Sequence, residues 1–176
     1  GWVPDGRRRR AHAAAGMLST AAAAACFSQL PGTSGEACAP VHGMSFICGV
    51  ERPEDLARVP GTRWLIASGF KEGAGLKLID IEAHTALFWY SGATQQQRDP
   101  AFASCLAPPD PRAFNTRGLS LRSRGKGRYT LYAVNHGDRE SVEVFSVDGT
   151  TDVPSLTWTG CLLLAEGLVA NSVVSL

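Results

Sequence analysis

Residues 129–147 read YTLYAVNHGDRESVEVFSV and predict a β-hairpin, around which the rest of the chain can be interpreted. The first seven of these residues alternate between two sets of side chains rich in β-branched and aromatic types, as half-buried strands do. The last seven repeat the pattern, and the five residues between them include Gly137, so a turn joins two strands. His136 follows the first strand, where an imidazole can bind a metal, take a proton or complete a turn.

Short apolar runs on both sides of the hairpin predict further strands. They occupy residues 44–48, 55–59, 63–68, 75–81, 86–90, 118–122, 155–164 and 171–176. The connection over residues 91–117 contains Pro-Pro-Asp-Pro at residues 108–111, and so many prolines argue against a helix or a central strand. No amphipathic helix pattern separates the runs, so we expect an all-β fold.

The predicted strands fall into sets of four. The sets start at Asp55 and Gly118, 63 residues apart, and a third would start at Ser172, 54 residues further on. Four-stranded units that repeat without helices predict a β-propeller, of which this chain would hold about two blades and the first strand of a third. A β-sandwich is the alternative, since it uses the same short strands and turns. Polar residues at the start of each set favour the propeller, because oxygen donors that meet on one axis suit Ca²⁺.

Residues 1–30 have the order of a secretory signal. Four arginines precede an alanine-rich run and then small residues, although a basic alanine-rich tail would read similarly. The run falls short of the ~20 strongly apolar residues that a membrane span needs. Cys26 follows three alanines and is a candidate lipid anchor. We expect an exported protein, periplasmic or extracellular, either free or held as a lipoprotein. Residues 31–47 then form a linker and N-terminal segment, and residues 48–176 the N-terminal part of a propeller domain that continues in a longer chain.

Charge and cysteine content narrow the choice of partners and compartment. The formal net charge of +1 includes +3 from four arginines and one aspartate in residues 1–26, which leaves −2 for the rest. A mildly acidic body without a basic stripe gives no case for nucleic acid. None of the five cysteines has zinc-site spacing. In an oxidising compartment four of them can pair in three ways, and the alternative is buried free thiols. These four are Cys38, Cys48, Cys105 and Cys161.

Five short motifs, in this order, resemble the N-terminal half of the paraoxonase/arylesterase family. They are RPEDL at residues 52–56, GTRWLIASGF at 61–70, FNTRGLS at 114–120, YAVNHGDRESVEVF at 132–145 and NSVV at 171–174. The match spans residues 48–176 and is most similar to exported bacterial relatives, grouped with gluconolactonase-like and strictosidine-synthase-like propellers. The resemblance implies a six-bladed propeller that holds two calcium ions in its central tunnel and hydrolyses lactones and aryl esters.

The resemblance also assigns roles to individual residues. Glu54 and Asn171 match ligands of the catalytic calcium. Asp55 and the carbonyl of Leu119 match ligands of the structural calcium. His136 matches the second histidine of the family's proposed His–His dyad, which activates water. The remaining ligands would follow residue 176, so this stretch alone is expected to be inactive.

Two residues depart from the family pattern. Arg117 stands where the first dyad histidine belongs, and arginine stays protonated, so it cannot act as a general base. It could bind a substrate carboxylate or phosphate, or pair with Glu54 and abolish the metal site. Ser172 stands where an aspartate binds the structural ion, which removes one carboxylate.

Two functions follow from this pattern. The first is a calcium-dependent hydrolase of small esters or lactones, with calcium polarising the carbonyl and His136 transferring protons. The second is a non-catalytic propeller that binds a ligand and has lost the dyad at Arg117. A serine hydrolase is not indicated, because the sequence has no Gly-x-Ser-x-Gly motif.

Overall fold

The computed structural model describes residues 38–92 and 95–176, and these residues form an all-β structure. They contain nine strands and one short 3-10 helix, Pro100–Phe102. The strands are β1 (Leu56–Arg58), β2 (Trp64–Ser68), β3 (Leu76–Asp80), β4 (Thr85–Phe88), β5 (Gln95–Gln96), β6 (Thr116–Gly125), β7 (Arg128–Asn135), β8 (Ser141–Asp148) and β9 (Ser155–Leu163). The predicted all-β class is confirmed.

Two antiparallel meanders make up the fold. Strands β1 to β4 pair in sequence order in the first sheet, and β6 to β9 do so in the second, with β5 added in parallel to β9. The two predicted sets of four strands are therefore confirmed. So is the central hairpin, because β7 and β8 pair along their whole length from Arg128 opposite Asp148 to Asn135 opposite Ser141.

Two predictions about secondary structure were wrong. Residues 44–48 and 171–176 form no strand: an alternating run needs a partner strand, and the first makes only an isolated bridge from Met44 to Val41. Residues 171–176 meet β6 through separate contacts, such as the amide of Ser175 on the hydroxyl of Ser120 at 3.0 Å. The connection over residues 91–117 was predicted to hold neither a helix nor a central strand. Among its described residues it contains the short 3-10 helix and contributes β5 to the edge of the second sheet.

Strand β7 is buried on both faces beyond Arg128, which explains why apolar residues occupy both sets of alternating positions. Tyr129, Leu131 and Ala133 belong to the main cluster between the two sheets. Tyr132 and Val134 face the other way, in a smaller cluster that includes Val142, Val144 and residues near position 170. Burial of alternate side chains on opposite faces follows from the period of two in a strand.

Polar contacts also join the two sheets. The indole of Trp64 donates to the carbonyl of Asp152 at 2.7 Å, and that of Trp89 donates to the carbonyl of Pro154 at 3.0 Å. Arg63 bridges Asp80 and Asp152 at 2.8 and 2.9 Å. These two carboxylates, Asp152 first, hold the pKa of Arg63 above its ordinary value.

Two disulfides form among the four candidate cysteines. Cys38 pairs with Cys48 and Cys105 with Cys161, at Cα separations of 6.0 and 5.6 Å. This selects one of the three connectivities that the sequence left open. Residues 1–30 and Cys26 lie outside the described residues. A search of the described part of the chain found no helix with the length and hydropathy of a membrane span.

Candidate functional site

Backbone contacts bring β1, β6 and the segment after residue 170 side by side. The carboxylate of Asp55 accepts the amide of Leu56 with one oxygen and that of Leu119 with the other, both at 2.8 Å. The amide of Gly118 donates to the carbonyl of Asn171 at 3.0 Å. A Cβ at Gly118 would lie 2.5 Å from the Cα of Ser172, so glycine permits this approach. Three segments far apart in sequence thus meet where the candidate ligands were predicted.

Arg117 occupies the centre of this meeting point. Its Nη1 lies 3.6 Å from Oε2 of Glu54 and 3.4 Å from Oδ1 of Asn171. Its guanidinium carbon lies 3.4 Å from the ring centroid of Phe70, which is a cation–π contact. The Arg117 and Glu54 side chains are only 25% and 28% exposed. Half-buried charges that face each other are screened less than charges in open water.

A calcium ion between Glu54 and Asn171 does not fit this arrangement. The oxygen of each residue that would bind the ion already faces the guanidinium of Arg117. At about 4 Å and an effective dielectric constant of about 20, a divalent ion and a guanidinium repel each other by roughly 8 kcal/mol. The negative charge of Glu54 is also neutralised by Arg117. Of the two outcomes that the sequence allowed for Arg117, the structure favours pairing with Glu54.

The predicted structural calcium site also has few suitable ligands among the described residues. Asp55 contributes one carboxylate, whose two oxygens already accept backbone amides. Leu119 meets Asp55 through its N–H and not through its carbonyl. Ser172 adds a neutral hydroxyl at most. Calcium prefers six to eight oxygen ligands with several carboxylates, so these three residues do not by themselves form a site for it.

His136 forms a second feature, at the end of β7. Its Nδ1 lies 2.6 Å from Oε2 of Glu140, and its side chain is 8% exposed. The backbone amide of His136 donates to the carbonyl of Asn115 at 2.9 Å, which fixes the ring beside the start of β6. When Nδ1 carries the proton and donates it to the carboxylate, Nε2 presents a lone pair. A carboxylate that orients an imidazole in this way is the arrangement of a general base.

Three buried polar atoms near this point have no hydrogen-bond partner among the described residues: Oδ1 of Asn115, Nε of Arg117 and Nε2 of His136. Asn115 and Arg117 flank Thr116, and His136 follows Asn135, the register partner of Thr116. The register of the β6–β7 ladder shifts between Thr116 and Leu119, and Arg117 lies within this irregularity.

Each of these three atoms can form a hydrogen bond with water. Two of them accept hydrogen bonds and one donates, whereas water donates two hydrogen bonds and accepts up to two. Buried waters in proteins typically satisfy polar groups of this kind. The end of the β6–β7 ladder therefore offers polar groups with which water can bond.

Another cluster contains side-chain atoms of the types that bind metals, but its role is structural. Ligand atoms of Cys105, Glu143 and Cys161 lie within 4.8 Å of one another. Both sulfurs are joined in the disulfide. The fully buried carboxylate of Glu143 accepts from Arg139, Ser141 and Trp158 at 2.7 to 2.8 Å. A carboxylate with three donors needs no metal, so this cluster fixes the outer part of the second sheet.

The larger clefts lie away from these residues. One of about 370 Å³ opens beside the start of β7 and is lined by residues that include Arg98, Arg124, Tyr129 and Phe145. His136 follows the opposite end of β7. A shallow groove of about 620 Å³ runs past Arg63 and Asp152. Neither cleft is lined by a candidate catalytic or metal-binding residue predicted from the sequence.

Arg117 and His136 were predicted from the sequence, but two side chains that contact them were not. Sequence reasoning did not identify Glu140, which contacts His136, or Phe70, which contacts Arg117. Glu140 follows His136 by four residues inside the hairpin loop, and that spacing alone does not reveal a contact outside a helix. The cation–π contact of Phe70 depends on how the first sheet packs on β6, which no local pattern reports.

Comparison with known proteins adds no family to these observations. No protein-family model matches the chain, and no curated protein matches it at a significant level.

Proposed function

We propose that this chain carries part of the active site of a hydrolase for small esters or lactones, with His136 as the general base. The observation that supports this most directly is the pair of His136, whose side chain is buried, with Glu140: Nδ1 lies 2.6 Å from the carboxylate, and Nε2 has no partner in the described part of the chain. A solvated turn histidine would not be expected to combine burial, a carboxylate on one nitrogen and a free second nitrogen.

The proposed reaction uses a water held at the end of the β6–β7 ladder. Nε2 of His136 takes a proton from the water as its oxygen attacks the carbonyl carbon of the substrate. The carboxylate of Glu140 stabilises the imidazolium that forms. His136 then returns the proton to the departing alkoxide or phenoxide, which completes the hydrolysis. Such a base contributes roughly 10²- to 10⁴-fold to the rate. No step is assigned to calcium, because Arg117 already faces the oxygens of Glu54 and Asn171.

The same proposal includes the fold and compartment of the whole protein. Two meanders whose first strands meet at one edge are consistent with adjacent blades of a six-bladed β-propeller of the paraoxonase/arylesterase type. Export to a periplasmic or extracellular compartment is supported by two disulfides, which persist in oxidising surroundings. The signal-like leader and the anchor at Cys26 belong to the same proposal.

The test is hydrolysis of a panel of lactones and phenyl esters by the full-length protein and its variants. We expect His136→Gln to lower kcat/KM at least a hundredfold, whereas His84→Gln, at an exposed histidine, leaves it unchanged. Glu140→Gln should lower kcat about ten- to a hundredfold with little change in KM or melting temperature, since it disturbs only the orientation of the imidazole. Glu82→Gln is its exposed control.

Each result has a distinct meaning. Full activity in His136→Gln would remove His136 from the mechanism while leaving the hydrolase intact. A loss in Glu140→Gln that tracks a fall in melting temperature would show that Glu140 is structural. If the folded wild-type protein hydrolyses none of these substrates, the hydrolase proposal is wrong.

That last outcome would favour a second function, a propeller that binds a ligand without turning it over. The observation behind it is Arg117, which stands at the position of the family's first dyad histidine and pairs with Glu54. In this case saturable binding of a substrate analogue would be detected by calorimetry without hydrolysis.

A further inference from the structure

The site between β1, β6 and the segment after residue 170 already contains a cation, the guanidinium of Arg117. Nη1 lies 3.6 Å from Oε2 of Glu54 and 3.4 Å from Oδ1 of Asn171. Both oxygens are the side-chain atoms that the family resemblance would direct to a catalytic calcium. The guanidinium thus contacts both oxygens that would bind the calcium ion. It also belongs to the residue that replaces the family's first dyad histidine.

Three contacts from different parts of the chain hold the guanidinium in place. Glu54 precedes β1, Asn171 follows β9, and Phe70 follows β2 with its ring 3.4 Å from the guanidinium carbon. Gly118, next to Arg117, is bonded to Asn171 through its amide and has no room for a side chain against Ser172. The backbone that follows Arg117 is therefore held against the segment after residue 170.

The charge of the site is already balanced. Glu54 is the one carboxylate that faces the guanidinium among the described residues, and Asn171 is neutral. A divalent ion would have to displace a guanidinium that is always protonated and half-buried. One carboxylate and one amide are too few hard ligands to do so.

We propose that Arg117 is the resident cation of this site and closes the Glu54–Asn171 position to calcium. The electrostatic part of this inference does not depend on the proposed function. Its catalytic consequence, hydrolysis that proceeds without calcium, rests on that function.

Calcium binding to the full-length protein tests the inference directly. Isothermal titration with calcium chloride is compared for the wild type, Glu54→Gln and Arg117→Met, the last of which keeps the length of the stem without its charge. Arg122→Ala removes an exposed arginine from the same strand and is the control for net charge. We expect Glu54→Gln to bind calcium as the wild type does, because Glu54 is not a ligand. We expect Arg117→Met to gain at least tenfold in affinity, a gain that Glu54→Gln abolishes in the double variant and that Arg122→Ala does not reproduce.

A wild-type calcium affinity that falls at least tenfold in Glu54→Gln would overturn the inference, even if Arg117→Met failed to fold. Unchanged affinity in folded Arg117→Met would also overturn it. Activity is measured separately with and without a chelator. If no substrate is hydrolysed, the result counts against the proposed function alone. If hydrolysis is abolished by the chelator, restored by calcium and dependent on Glu54, the result counts against Arg117 as the resident cation.

Discussion

Asp80 lies at the end of β3, where three donors converge on its carboxylate. The amides of Glu82 and Ala83 donate to one oxygen at 3.0 Å, and Nε of Arg63 donates to the other at 2.8 Å. The amide of Ala83, followed by Arg63, lowers the pKa of Asp80 below its ordinary value of 3.8. The folded protein therefore binds a proton at Asp80 less readily than the unfolded chain does. The stability that Asp80 contributes is complete above pH 3.8 and is lost as the pH falls through the lower, folded-state pKa.

Asp80→Asn should make stability less sensitive to acid. At pH 7 we expect the variant to melt below the wild type, because the asparagine cannot accept all three donors with the same charge. As the pH falls below 3.8 and through the lower folded-state pKa of Asp80, the difference in melting temperature should shrink, because the wild type loses the ionised carboxylate. Circular dichroism melts across this range provide the measurement, with Glu82→Gln as an exposed neighbour. A difference that stays constant with pH would contradict the assignment.

At the same scale, the candidate site was predictable in part. Glu54, Arg117 and Asn171 could be grouped because each stands at the start of a repeated unit, and the pairing of Arg117 with Glu54 was one of two outcomes open to an arginine there. Glu140 could not be found, because the contact of its carboxylate with His136 depends on the path of a five-residue loop. The sequence did not reveal that the carboxylate of Asp55 accepts the amide of Leu119 and so links the start of β1 to β6.

At the scale of the elements, β6 and the segment after residue 170 lie in direct backbone contact. A Cβ on Gly118 would lie 2.5 Å from the Cα of Ser172 and 2.8 Å from the carbonyl oxygen of Asn171. Contacts this short cannot be relieved by turning a side chain, since both atoms belong to the backbone. The two backbones can pair at 3.0 Å only because position 118 lacks a side chain.

Gly118→Ala should therefore separate the segment from β6. We expect a loss of about 1 to 3 kcal/mol in the free energy of unfolding, as for other overpacked positions. The amide of Gly118 should also exchange its hydrogen faster, because its bond to Asn171 is stretched. Urea titration and hydrogen exchange give the two readouts. If neither the free energy of unfolding nor the rate of hydrogen exchange changes, the packing of the segment does not depend on glycine at position 118.

The same elements show where pattern-based prediction of strands succeeds. Strands β7 and β8 were found because each alternates over seven or more residues and has a partner one turn away. Residues 171–176 have the composition of a strand, but among the described residues they meet β6 through isolated bonds and not through a ladder. Composition predicts that a segment can be extended, whereas pairing depends on what lies beside it.

For the molecule as a whole, the two disulfides should contribute unequally to stability. Cys105 and Cys161 are 56 residues apart, whereas Cys38 and Cys48 are 10 apart. In the chain-entropy description the longer loop restricts the unfolded chain more, by about 4 kcal/mol against about 3 kcal/mol for the shorter one. Cys105 and Cys161 are also buried in the main cluster, so their removal disturbs packing as well.

Replacement of Cys105 and Cys161 together by serine should thus lower the free energy of unfolding by about 4 kcal/mol or more. The matched change at Cys38 and Cys48 should cost less. Guanidinium titration of the two double variants under identical conditions compares them. Equal losses, or a larger loss at Cys38 and Cys48, would contradict this ranking.

The indoles of Trp64 and Trp89 give the protein an order of assembly during synthesis. Their partners, the carbonyls of Asp152 and Pro154, follow 88 and 65 residues later in the chain. A ribosome that adds about 5 to 20 residues per second needs roughly 3 to 18 seconds to produce them. For that interval the first sheet exists without the acceptors that its tryptophans require. Chaperones that recognise exposed aromatic surface would meet the nascent chain at this stage, before the second sheet emerges to cover it.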